Sequence, residues 1–384
     1  MSEPPTEHEH RVTPLELFFD LVFVFGFTQV TTLMADDTSW SGLAEGLLVL
    51  AAIWWAWTGY AWLTNAVDPE EGAVRGAMLV AIVAMFIAAL AVPDVFDEHG
   101  VLFGVLFLIV RLMHVSLYAL AGRGDHDLLL AVLRITPLTA IGSLLIIVAG
   151  FADADVKPAI WLLALSIDYL GPVVSGARGW SVHPEHFCER HGLILIIALG
   201  EAFIAIGLGA ADTSLGAGVI LTAVLGLVVA TSMWLAYFDF FSIRAPLILA
   251  ERSGHERNAL ARDLFSYLHL PMIAGIVLVA LGLKTTIGHY DEELGTVAAT
   301  ALFGGSSLYL LAYSAVRLRL QRRLSRGRFV TALVFLALLP AAFAVPALAA
   351  VALATLVWLS FHAYEFIWWR EARAETRALR SPAG

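Results

Sequence analysis

Apolar residues in this chain do not alternate with polar ones; they come in runs of about twenty that are apolar on every face, with short charged or Gly/Pro-rich breaks between them. A run of that length crosses a hydrocarbon core of roughly 30 Å as a helix. In lipid the backbone must satisfy its own hydrogen bonds, so helices are expected. The strands of a membrane barrel are excluded, because stretches such as 101–120 show no two-residue alternation. The pattern predicts an all-α polytopic bundle of about twelve spans. These lie near 14–34, 43–64, 75–93, 100–121, 127–150, 156–175, 190–210, 215–238, 263–282, 298–317, 328–345 and 348–369. The break at Pro346 is the weakest: a single broken helix there would leave eleven spans.

Basic residues gather in alternate breaks, which predicts that those breaks are cytoplasmic. One set carries Arg11, Arg75, Arg123, Arg178, Arg190, Arg244, Arg252, Arg257, Arg262, the run from Arg317 to Arg328, and Arg370 to Arg380; the other carries Lys157 and Lys284. Both termini are therefore expected in the cytoplasm, which needs an even number of spans and favours the split at Pro346. The start of the chain, MSEPPTEHEHRV, has no basic region or cleavage site of a signal peptide, so the first helix is expected to be retained.

The two halves resemble each other. Trp57-x-x-Tyr60 is matched by Trp234-x-x-Tyr237, Arg75 and Met85 by Arg262 and Met272, Leu102-Phe103-Gly104 by Leu302-Phe303-Gly304, and Pro137 by Pro340. The shared order predicts two parallel six-helix repeats. On that reading 1–13 is a tail, 14–175 the first repeat, 176–189 a cytoplasmic loop, 190–369 the second repeat and 370–384 a basic tail. Transporters built from parallel repeats place their site between the halves.

Composition agrees with the pattern: 59% of residues are hydrophobic and 15% charged, too apolar for the surface of a soluble globule of 384 residues. The net charge of -10 says little until the side of each charge is known. Cys188 is the single cysteine, so no intrachain disulfide or thiolate cluster is expected.

Charges retained within apolar spans usually face protein or water. Here they are Glu16, Asp20, Arg111, His114, Arg134, Asp168, Glu201, Asp239, His269, His362 and Glu365. Most fall toward the predicted cytoplasmic side, which suggests a hydrated vestibule open to the cytoplasm. Glu16 and Asp20, four apart, share a helix face and could hold a proton or cation. Thr13-Pro14-Leu15-Glu16 also reads as a capping box. Arg111, His114 and Tyr118 line one face, with Asp20, Asp168 or Glu201 as candidate partners for the arginine; a structural ion pair is the competing reading. Glu201, halfway along its span, is the first functional candidate. His362-x-x-Glu365 is a weak metal pattern, and His183, His186, Cys188 and His191 match no zinc-finger spacing, so a solvated linker is expected there. No motif requires a cofactor or a resident metal, and none suggests nucleic acid; phosphate-binding loops and nucleophile elbows are missing from the sequence.

The stretch from Thr13 to Phe25, TPLELFFDLVFVF, resembles the opening signature of the bacterial low-temperature-requirement A (LtrA) family. His186-Phe187-Cys188-Glu189-Arg190-His191-Gly192-Leu193 through Gly200-Glu201 is similar to its second signature, and Asp168-Tyr169-Leu170-Gly171-Pro172 to the segment before it. The resemblance runs from Arg11 to about Trp369. It implies a multi-pass bacterial membrane protein linked to growth in the cold, and the family name defines no molecular activity.

The functional expectation is transport of a proton or small cationic solute through the inner membrane, with lipids as the other partner. Six acidic positions set against two arginines within spans, Arg111 and Arg134, motivate the cation. An intramembrane enzyme acting on a lipid or isoprenoid, using His114, His269 or His362, is the alternative. A membrane scaffold is the second alternative.

Overall fold

The computed structural model describes residues 11–70, 72–211 and 213–368, and those residues contain helices and no strand. The first half of the chain forms α1 (Pro14–Asp36), α2 (Trp40–Ala66), α3 (Gly72–Leu90), α4 (Gly100–Ala121), α5 (His126–Ala149) and α6 (Lys157–Ser175). The second forms α7 (Pro184–Ala211), α8 (Ala217–Phe238), α9 (Phe241–Ala250), α10 (Gly254–Ala261), α11 (His269–Ile287), α12 (Thr296–Gln321), α13 (Arg326–Ala342) and α14 (Ala347–Trp368). Among the described residues, 11 helical segments are long and apolar enough to cross a membrane. The remaining predicted span is α13, whose 17 residues sit at the short end of what can cross. The Pro346 break is real: α13 stops at Ala342, and Ala347 N–H at the start of α14 donates to the Glu292 carbonyl at 2.8 Å.

Two predicted connections are helical instead. The stretch after α8 carries α9, α10 and a π-helical turn, Arg262–Tyr267, that runs into α11. The expected loop 176–189 gives way to helix at Pro184, where the proline suits a helix start. His186, Phe187, Cys188 and Arg190 are buried, which corrects the solvated-linker reading. Charges that look like solvation in one dimension here have partners inside the protein.

The chain divides into two compact units that do not coincide with its halves. One takes in the described chain up to Gly26, Ala52–Ile194 and Ala245–Arg262; the other takes in Phe27–Ala51, Leu195–Arg244 and the described chain from Asp263. The core of the first is aromatic: Trp54 and Trp57 stack at 5.1 Å, Phe19 packs on Tyr60 at 4.8 Å, and Trp161 packs on Phe103 at 5.3 Å. The core of the second is α11, buried on nearly every face and pressed against α12.

Lipid tails are as apolar as leucine, so helices in a membrane associate through close packing rather than through expulsion of water. Small residues permit it. A Cβ on Gly275 would lie 2.6 Å from the Gly305 carbonyl oxygen, and a Cβ on Gly305 2.7 Å from that of Gly275. The two backbones touch, and nothing flexible can yield. Gly275→Val is expected to lower stability by about 1–3 kcal/mol or more, read as an earlier thermal unfolding of detergent-purified protein. Gly76→Ala, with no atom within 4 Å of the new Cβ, should unfold no earlier than wild type.

Candidate functional site

The helix start at Thr13 sets the first cluster. Pro14 occupies the first position of α1, the Thr13 N–H donates to Glu16 Oε2 at 2.9 Å, and the Glu16 N–H donates to Thr13 Oγ1 at 3.3 Å. This is the capping box expected from the sequence, with Glu16 fully buried. The same carboxylate also meets an arginine. Arg190 of α7 places Nη1 2.8 Å from Glu16 Oε1 and donates from Nη2 to Asp20 Oδ1 at 2.8 Å. Trp57 Nε1 donates to that Asp20 oxygen at 2.8 Å, and the guanidinium lies 5.8 Å from the Trp57 ring centre. Asp20 Oδ2 makes no hydrogen bond among the described residues.

His186 completes the cluster, and its tautomer follows from its neighbours. Asn65 Oδ1 accepts from the His183 N–H at 2.8 Å, which turns Asn65 Nδ2 toward His186 Nδ1 at 3.1 Å. Nδ1 therefore accepts, and Nε2–H donates to Glu16 Oε2 at 3.1 Å. A neutral imidazole suffices. His191, a turn later, donates from Nδ1 to the Phe187 carbonyl at 2.8 Å and stands edge-on to Trp57.

A second cluster lies in the same unit. Arg111 Nη2 donates to Asp168 Oδ1 at 2.9 Å and to Thr139 Oγ1 at 3.3 Å, while Thr139 donates to Asp168 Oδ1 at 3.0 Å. Arg111 Nη1 reaches the Trp55 carbonyl at 3.3 Å. Of the three partners the sequence allowed, Asp168 is the one found. His114 is buried beside this pair between Tyr60 and Tyr118, and neither ring nitrogen is hydrogen-bonded among the described residues.

The other unit repeats the arrangement with different residues. Arg328 of α13 donates from Nε to Glu365 Oε1 at 3.1 Å and from Nη2 to Oε2 at 3.4 Å, a two-pronged pair. Its Nη1 donates to the Ala236 carbonyl at 2.8 Å, and its guanidinium lies 3.5 Å from the Tyr313 ring centre. His362 turns away from Glu365 and stands 3.0 Å from the Ser232 carbonyl, so the His-x-x-Glu pair shares no ligand position. His269 has its Nδ1 2.8 Å from the Leu264 carbonyl, five residues back across the π turn, and its Nε2 3.0 Å from the Tyr237 hydroxyl. Asp239 caps the end of α8, half-buried.

Glu201 differs from the other buried acids. Its Oε2 accepts a hydrogen bond from Thr28 Oγ1 at 2.6 Å, and it is 1% exposed. One turn along α1, Thr32 Oγ1 accepts from Lys284 Nζ at 3.3 Å. A threonine ladder thus runs past a carboxylate and an ammonium.

These positions correct the charge balance expected from the sequence. Arg134 is exposed, whereas Arg190 and Arg328, placed by sequence in basic loops, are buried; five buried carboxylates (Glu16, Asp20, Asp168, Glu201, Glu365) face three buried arginines. Arg190 was discoverable, since it follows His186 by four residues and so shares its helix face. Arg328 and Lys284 carried no comparable signal. No group of three or more His, Cys, Asp or Glu side chains able to hold a metal occurs among the described residues.

Spans of this length and hydropathy, with charges enclosed in ionic clusters, define a multi-pass α-helical membrane protein. The model of the family described as bacterial low temperature requirement A protein (LtrA) matches residues 11–363, and the chain belongs to that family. It is 32% identical over 307 residues, 77% of this chain and 74% of the relative, to a protein of Rhizobium meliloti (strain 1021) that is described as uncharacterized. No solved structure matches the chain.

Breaking a buried ion pair from one side strands the other charge. Arg190→Ala is expected to cost roughly 3–5 kcal/mol, because Glu16 and Asp20 both lose their cation, and Arg190→Lys to cost less. Arg111→Met should destabilise on the same scale, while Arg111→Met combined with Asp168→Leu should regain most of the loss. Thermal unfolding of the purified variants reads all of these, and a double variant no better than the single would contradict the assignment.

Proposed function

We propose that the protein moves a proton, or a small cationic solute coupled to a proton, across the bacterial inner membrane, with Glu201 as the group that takes up and releases the charge. The observation that carries this reading is the contrast between Glu201 and the other buried acids. Glu16, Asp20, Asp168 and Glu365 sit against arginine. Each of these carboxylates has a fixed cation as its partner. Glu201 rests on the hydroxyl of Thr28 instead. A hydroxyl donates to a carboxylate and, by rotating, accepts from a carboxylic acid, so both protonation states of Glu201 keep their hydrogen bond. That is what a carrier of protons requires.

Lys284, held by Thr32 a turn away, supplies the counter-charge that an arriving cation would displace. Asp20, with one oxygen outside any hydrogen bond among the described residues, is a second acceptor. Arg111 and Asp168 hold helices in place, and His269 and His362 tie theirs to backbone carbonyls. Twelve crossings, α13 included, would return both ends to one side, and the basic alternate connections make that side cytoplasmic. Membrane lipid covers the exposed apolar residues of the outer helices.

Liposomes containing purified protein and a trapped pH-sensitive dye test the reading. Wild type should dissipate an imposed proton gradient, alone or on adding a small organic amine. Glu201→Gln should slow this by roughly 100-fold, as for loss of an essential proton-transfer group, while unfolding at the wild-type temperature. Equal flux from wild type and Glu201→Gln, or no flux with either substrate, would reject it.

A further inference from the structure

A polar cavity of about 370 Å³ opens in the first unit, where α5 begins and α6 ends. Arg134, Arg178 and His255 line it, with Asp127 as the one carboxylate. Neither arginine has an ionic partner among the described residues, unlike Arg111 and Arg190 in the same unit.

The loop that carries Arg178 is built rather than loose. Gly176 and Gly179 take φ of 75° and 85°, a region that suits glycine, so the chain turns sharply on either side of Arg178. Asn258 of α10 is buried, and its amide donates to the Ala177 and Trp180 carbonyls, clasping the loop from both ends. Gly179 lies directly on the Asp127 backbone: a Cβ there would come within 2.3 Å of the carbonyl oxygen. Arg178 is thereby fixed beside the first turns of α5.

Arg134 adds a second constraint. It lies about 12 Å along α5 from His126 at roughly 1.5 Å per residue, exposed on a helix that crosses the membrane. An arginine at that depth must snorkel to a polar group at the interface. The cavity supplies the direction but no protein anion other than Asp127. The last turns of α6, Leu170, Val173 and Val174, are exposed and apolar, and they lead straight to Arg178.

Two guanidiniums without an ionic partner among the described residues, above an apolar helix face, match one kind of molecule: a negatively charged headgroup with acyl chains below it. The geometry points to a binding site for an anionic phospholipid, its phosphate between Arg134 and Arg178 and its tails along α5 and α6. His255 and the opening turn of α10 border the headgroup, where the helix N-terminus favours negative charge. The site is separate from Glu201 and does not depend on the transport reading.

Native mass spectrometry of the full-length protein in detergent, titrated with phosphatidylglycerol or with phosphatidylcholine of the same chains, tests this. Wild type should retain phosphatidylglycerol in preference to phosphatidylcholine. R134Q/R178Q should weaken phosphatidylglycerol binding by roughly tenfold or more, R134K/R178K should keep most of it, and R75Q, at an exposed arginine on α3, should leave it unchanged. Unfolding temperatures of all variants should match wild type, and if R134Q/R178Q proves unstable, R178Q alone gives the comparison. Equal binding of the two lipids, or no loss in the glutamine variants, overturns the proposal. Displacement of phosphatidylglycerol by millimolar inorganic phosphate would assign the cavity to a soluble anion and overturn the lipid.

Discussion

An ion inside a low-dielectric bundle must carry its own counter-ion and hydrogen bonds, and this constraint organises the protein. Burying a lone charge costs several kcal/mol even after relaxation. The chain answers with arginine, whose planar fork can serve two acceptors at once. Arg190 holds Glu16 and Asp20, Arg111 holds Asp168 with help from Thr139, and Arg328 grips Glu365 with two nitrogens. The Arg190 and Arg111 clusters join helices that are not consecutive in the chain, α1 with α7 and α4 with α6, and Arg328 ties the consecutive α13 and α14, so the ionic clusters help specify which helices are neighbours in a medium where apolar contact alone does not. Against that background a buried carboxylate satisfied by a hydroxyl stands out chemically.

The two units meet the constraint in related ways. Trp161 and Asp168 have the same spacing as Trp358 and Glu365, both tryptophans are fully buried, and both acids bind arginine. The arginines come from different helices, Arg111 from α4 and Arg328 from α13. The compact units exchange pieces of the two halves, notably Phe27–Ala51 and Ala245–Arg262, so a half of the sequence and a unit in space are different divisions of this chain.

Much of the fold was legible because the signal for a membrane helix is length and hydropathy, both local. The predicted 100–121 and 156–175 lie within a residue of α4 and α6 at each end. The capping box at Thr13 was equally local. Partnership was not. Asp168 was one of three options for Arg111, and only packing chose among them. Arg190 and Arg328 were read as solvated because the rule for basic loops counts charges near helix ends without asking which way they point. The region 239–262 read as a connection because it is polar, yet it forms α9 and α10, and α10 uses that polarity to clasp Ala177 and Trp180. Thr28 gave no warning, since a threonine in a hydrophobic span usually bonds its own helix, as Thr31 does to Phe27.

The spacing of Glu16 and Asp20 also bears on how α1 could move. They lie one helical turn apart, so a slide of α1 by about 5.4 Å would bring one carboxylate to where the other stood and leave Arg190 with one carboxylate in place of two. One carboxylate still meets the guanidinium charge, so ion pairing resists that slip without forbidding it. The neutral donors add to the distinction between the two registers: Trp57 on Asp20 and His186 on Glu16, together with the turn that Thr13 closes. The ionic ladder supplies grip, and the uncharged groups act as the pawl that stops it on a single rung.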